Sequence, residues 1–303
     1  MKHYIDPTVD CVFKAILGSH KHIKLLLHFL NSVVDFVNPI TSLTIENPYS
    51  SKDHLDAKMH IVDIKARDSE GRTYQIELQL TSPKHLPSRM LHNLCQIHSD
   101  QIRSGEDYGK IAPTISIWLL TNDIEFDNDY KMTQDDVKFH FTLCDMEKGA
   151  RISQDISLYV INLHRWQKPE HLSEIDYWLY FLNEGGNWKE LPEDAQIPQL
   201  MEAMKVLEEF SEKEESFLVY QSRLAASIAA RSEEAERKQM REENKQMAAE
   251  NEQMAAENQQ IKSQLENMVI ELLKANNLSI EKIATMSGMS IEQVRTVQSA
   301  QIK

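Results

Sequence analysis

The sequence predicts an α/β protein that continues into a C-terminal coiled coil and a helix-turn-helix-like tail. Three observations lead there. Residues 61–68 (IVDIKARD) and 74–80 (YQIELQL) alternate apolar and polar side chains, which is the period-2 signature of strands. Residues 115–120 (ISIWLL) and 158–163 (LYVINL) are short continuous apolar runs of the kind buried strands show. From 227 to 268 the chain is poor in Gly and Pro and repeats every seven residues, the period of helices that pair along a seam.

The two alternating stretches are joined by Ser69-Glu70-Gly71-Arg72, a turn sequence, and therefore predict a β-hairpin. Antiparallel pairing about that turn sets Asp63 opposite Glu77, with Gln79 one diagonal step away on the same face. Like charges facing each other across a ladder cost on the order of 0.2–1 kcal/mol, so the pair needs a counter-charge. On charge pattern alone two readings stand: a solvated hairpin face neutralised by Lys65 and Arg67, or a pair of hard oxygen ligands for Mg²⁺.

The rest of the chain reads in the same way. DPTVDCVFKAILGS (6–19) predicts a first helix, with Asp10 at its start where the dipole favours an acid. The run from Ile23 to Val37 is broken by Lys24, His28, Asn31 and Asp35, as in a buried amphipathic helix and unlike a membrane span. Residues 122–136 are rich in Asp but lack the Gly and terminal Glu of a calcium loop, so they read as a solvated loop or edge. Residues 164–225 read as helical, broken at Gly185-Gly186, with Trp178, Tyr180 and Phe181 as packing residues.

Taken in order, these pieces resemble the recombination-promoting nuclease/putative transposase family, of the PD-(D/E)XK nuclease superfamily. The residues that carry the resemblance are Asp10, Phe13 and Lys14 on the first helix, then Leu30-Asn31, then the hairpin with Asp63 and Glu77-x-Gln79, then Arg89, Gln101, Gly105 and Tyr108. It covers about residues 6–125. The resemblance implies a restriction-endonuclease-like core, a small mixed sheet flanked by helices, and metal-assisted hydrolysis of DNA phosphodiester bonds.

It further implies that Asp63, Glu77 and the backbone carbonyl of Leu78 hold Mg²⁺ or Mn²⁺, with Asp10 as a candidate outer ligand. The superfamily's third position is usually Lys; here it is Gln79, which carries no charge and would position water or phosphate. Lys65, on the face of Asp63, is the candidate substitute cation. Arg89 is assigned a phosphate contact or an anchoring role on the following helix, and Gln101 a supporting one. Two alternatives follow from Gln79 and the acidic balance: a catalytically weak or inactive DNA-binding or regulatory protein that keeps the nuclease fold, and a coiled-coil interaction scaffold.

The net charge is −14, which opposes nucleic-acid binding if spread evenly. It is not. Residues 1–120 hold 13 basic and 13 acidic residues, so the whole excess lies further on. Cys11, Cys95 and Cys144 are odd in number and lack metal-ligand spacing, which predicts reduced thiols and a cytoplasmic protein. MKHYIDPTVD lacks the apolar stretch of a signal peptide, and no membrane partner is expected.

In the repeat, Met240, Met247, Met254, Ile261 and Met268 take position d, and Asn244, Asn251, Asn258 and Leu265 position a. Buried Asn at a specifies register and partner number at a cost in stability, so a parallel homo-oligomer is expected, a single spacer helix being the competing reading. In 266–298, Ala284, Gly288 and Val294 have helix-turn-helix spacing, and Ser290 with Gln293 forms a capping box. Arg295 is the only basic residue of that second helix, so the tail reads as a packing or dimerisation unit at least as readily as a DNA reader. The expected divisions are 1–165 nuclease-like core, 166–226 helical extension, 227–268 coiled coil and 269–303 tail.

Overall fold

The computed structural model describes residues 4–46, 63–124, 126, 130–275 and 277–300. The hairpin's Ile61 and Val62 lie outside them. Helix α1 (Asp10–Leu17) buries Val12, Phe13, Ile16 and Leu17, a stripe at helical spacing. It ends at Gly18, where an added Cβ would meet Lys14 O at 2.8 Å and Ile64 Cγ1 at 3.3 Å. The missing side chain thus lets the end of α1 approach the hairpin. Helix α2 (Ile23–Val33) is the predicted amphipathic helix, shorter than the apolar run because Val34 turns extended.

A mixed sheet follows, in the order β1-β2-β3-β4-β6-β5. Strand β1 (Leu43–Glu46) pairs antiparallel with β2 (Ile64–Asp68), which pairs antiparallel with β3 (Thr73–Gln79). After helix α3 (Leu86–Ser99), β4 (Thr114–Leu120) lies parallel to β3. Strand β5 (Lys138–Thr142) is antiparallel to β6 (Ile156–Asn162), which is parallel to β4. Neither β1 nor β5 is evident in the sequence. Both are short edge strands with partly exposed side chains, so no apolar period marks them.

Both faces of the sheet are covered. One carries Ile64, Ala66, Tyr74, Ile76, Ile117 and Ile161 into the large core with α1, α2, α4 (Glu174–Glu184) and α5 (Pro198–Glu212). Trp178 and Phe181 of α4 are fully buried there, as packing residues. The other carries Trp118, Leu120, Leu158 and Val160 against Leu86, Met90 and Leu94 of α3. The polar face of β3 is consequently not solvated: Thr73, Gln75 and Glu77 are all buried.

The chain divides into two compact units, residues 1–234 and 235–303. Helix α6 (Glu214–Lys274) begins in the first and runs on as the long helix of the second. There, Met240, Met247, Met254 and Ile261 are each just over half exposed. Its last turns pack Val269 with α7 (Ile280–Ser287) and α8 (Ile291–Ala300) around Ile283, Ala284 and Val294. Gly288 has φ +69°, and Ser290 and Gln293 exchange both bonds of the capping box, at 2.8 and 3.2 Å. Among the described residues no helix is long and apolar enough to cross a membrane.

Candidate functional site

The site is set by the closed end of its hairpin. The carboxylate of Asp68 accepts from the backbone N–H groups of Glu70 and Arg72 at 2.9 and 3.0 Å, from Arg72 Nε at 2.6 Å and from Tyr74 Oη at 2.7 Å. Gly71 supplies the left-handed φ of +85° that the turn requires. A turn so fixed allows one register, Ile64 opposite Ile76. One step further in the chain lies Asp63, just before β2, where it meets the β3 end that carries Glu77.

At that open end Asp63 is held from two sides. Its Oδ2 accepts the backbone N–H of Leu78 at 3.0 Å, and its Oδ1 lies 3.0 Å from Lys14 Nζ on α1. Glu77 is 4% exposed and accepts from Gln75 Nε2 at 3.2 Å. Burial, and then the facing charge of Asp63, push its carboxyl up to about 8, against the opposing pull of Gln75, Arg89 and Lys14. A buried acid beside a second acid is short of positive charge. The donor set is therefore suited to a hard divalent cation.

The Leu78 carbonyl leaves β3 on the edge that faces Asp63. The N–H and C=O of one strand residue leave on the same edge, and the Leu78 N–H points to Asp63 whereas the Gln79 carbonyl accepts from Thr121 N on the β4 side, at 3.2 Å. Asp10 lies apart: its ion pair, at 3.9 Å, is with Arg223 of α6. Among the described residues no three His, Cys, Asp or Glu side chains cluster as a metal site.

Gln79 is engaged at both ends. Its Oε1 accepts from Arg89 Nη1 at 3.2 Å and its Nε2 donates to Thr81 Oγ1 at 3.0 Å. Arg89 also lies over the Trp118 ring, 5.4 Å from its centroid. Lys65, the candidate substitute cation, is 3.3 Å from Glu46 Oε2 on β1, beside Arg67, which donates to Glu46 Oε1 at 2.7 Å. The cation at Asp63 is Lys14 instead. Gln101 braces the approach to β4, bonding Ala112 and Thr114.

Lys14 is 49 positions before Asp63, and no local pattern links them. The one signal was its place in the Asp-x-x-Phe-Lys helix.

A mixed sheet flanked by helices, with paired acids at the open end of its hairpin, defines the class: an α/β domain of the PD-(D/E)XK nuclease type. The family model described as PD-(D/E)XK nuclease family transposase matches residues 7–237, and the chain belongs to that family. The match spans the whole sheet and every site residue above. Searches of curated proteins and of solved structures each found no match.

Proposed function

We propose that this protein is a metal-dependent DNA endonuclease that hydrolyses phosphodiester bonds with Mg²⁺, Mn²⁺ serving in its place. The observation that supports this most is Glu77, buried, with its carboxyl pushed up to about 8 and facing Asp63. Asp63, Glu77 and the Leu78 carbonyl would hold the ion. When bound, the metal lowers the pKa of its water and stabilises charge on the phosphoryl oxygens. Lys14, 3.0 Å from Asp63 Oδ1, orients that carboxylate and brings a flexible ammonium to the site, where Gln79 carries no charge. Arg89, 3.2 Å from Gln79, presents a planar donor set suited to a phosphate oxygen. Asp10 would act, if at all, through its place on α1 one turn before Lys14.

The exposed d-position stripe of α6 takes a second copy of this chain, in parallel and in register. Asn244, Asn251 and Asn258 then meet their own counterparts, whereas an antiparallel partner would set each against an unpairable Met. Glu236 and Glu257 also face Arg241 and Lys262 of the second copy in that arrangement. Cys11, Cys95 and Cys144 are free thiols, which supports a cytoplasmic location.

Supercoiled plasmid incubated with the full chain and Mg²⁺ is the test. Nicking by the wild type that disappears with chelator and with Asp63→Ala is the expected result. Equal nicking by Asp63→Ala, or none by either, contradicts it; retarded DNA without cleavage identifies the non-catalytic DNA-binding alternative, and no association at low salt the scaffold.

A further inference from the structure

Behind Glu77 lies a set of buried polar groups that the proposed chemistry leaves unused. In the parallel pairing of β3 with β4, Gln75 stands beside Ser116 and Glu77 beside Trp118, and by strand alternation all four share the face under α3. Gln75, Ser116 and Trp118 have no exposure at all. Burying four such groups costs several kcal/mol in total unless each is bonded. They are bonded, in one line. Trp118 Nε1 donates to Ser116 Oγ at 2.9 Å, Ser116 Oγ to Gln75 Oε1 at 3.2 Å, and Gln75 Nε2 to Glu77 Oε1 at 3.2 Å.

The direction of this line is fixed at its origin. An indole N–H can only donate, so the Ser116 oxygen receives it and the hydroxyl proton turns to Gln75. The amide then accepts through oxygen and donates through nitrogen, with Glu77 as the terminal acceptor. With Glu77 ionised, as a metal ligand must be, no other assignment satisfies all three bonds. The carboxylate is thereby held against rotation about its last bond.

We propose that Trp118, Ser116 and Gln75 are positioning residues, a buried relay that fixes the Glu77 carboxylate in the orientation its metal ion requires. The same indole acts on the other arm of the site, because Arg89, which bonds Gln79, rests on its ring. Trp118 thus ties Glu77 and Gln79 to one rigid plate in the sheet. Groups that orient metal ligands from behind are worth about 10–100-fold in metal affinity. The proposal rests on the metal-binding reading of Asp63 and Glu77.

The test is calorimetric titration of Mg²⁺ into the full chain, without DNA, for the wild type, Ser116→Ala and Trp118→Phe. Ile117→Val, whose side chain enters the opposite core, is the control for general destabilisation. Both relay variants should bind Mg²⁺ about 10–100-fold more weakly, while Ile117→Val keeps wild-type affinity and all keep wild-type DNA affinity in chelator. Trp118→Phe retains an aromatic ring for Arg89, so the test stands if Ser116→Ala does not fold. Wild-type affinity in the relay variants overturns the relay alone. Absence of Mg²⁺ binding by the wild type overturns the metal reading, and the relay with it.

Discussion

The two ends of one hairpin each bury an acid, and they treat it in opposite ways. Asp68, at the closed end, receives two backbone and two side-chain donors and has Arg72 in contact. Glu77, at the open end, receives one amide donor and faces another carboxylate. Both are almost fully covered. A buried charge with all its partners is a structural device, whereas one left short of positive charge marks the place where something else is expected to bind. The difference separates a turn from a site within ten residues of sequence.

The largest effect should come from breaking the satisfied end. Asp68→Ala strands the buried Tyr74 hydroxyl, leaves Arg72 with Glu70 as its remaining acid and frees the turn that sets the register. Chemical denaturation should show a loss of about 3–5 kcal/mol.

Glu77→Gln should do the reverse to the metal-free protein. It removes a buried, repelled carboxylate, so stability at neutral to alkaline pH rises while Mg²⁺-dependent nicking falls by at least about 100-fold, the upper end of what outer-shell partners cost. The sign of the pH effect follows from the raised carboxyl. A native state that holds a proton up to about 8, where the unfolded chain releases it near 4.5, is most stable below the lower value. The melting temperature of the metal-free wild type should therefore fall as pH rises from roughly 5 through about 8. Glu77→Gln should flatten that decline.

Lys14→Met and Lys65→Met sharpen the comparison further. Lys14 contacts Asp63, so its loss should lower cleavage by about tenfold, the order of a single charge-assisted bond. Lys65 sits on Glu46, so its loss should leave cleavage within about twofold and cost at most about 1 kcal/mol of stability.

These contrasts also mark what the sequence could carry. The facing of Asp63 and Glu77 was legible because a period of two and a Gly-containing turn determine register. The burial of Glu77 was not, since alternation separates two faces without saying which is covered, and it took α3 to cover this one. Lys65 looked free because the four-residue β1 that brings Glu46 to it has no pattern of its own. Lys14 reaches Asp63 through the packing of α1 on the sheet, a long-range contact invisible to local periodicity. At the other end of the chain, Ala284, Gly288 and Val294 took their expected places, because turn chemistry and helical period are local.

The central claim is that the undercharged end of the hairpin is a cation site. Thermal unfolding of the full chain near pH 8, with and without Mg²⁺, beside Glu77→Gln, tests it most directly. Mg²⁺ should raise the wild-type melting temperature, by the equivalent of about 2.7 kcal/mol at a hundredfold excess over its Kd, and leave Glu77→Gln almost unmoved. An equal rise in both proteins, or none in the wild type, would contradict the claim.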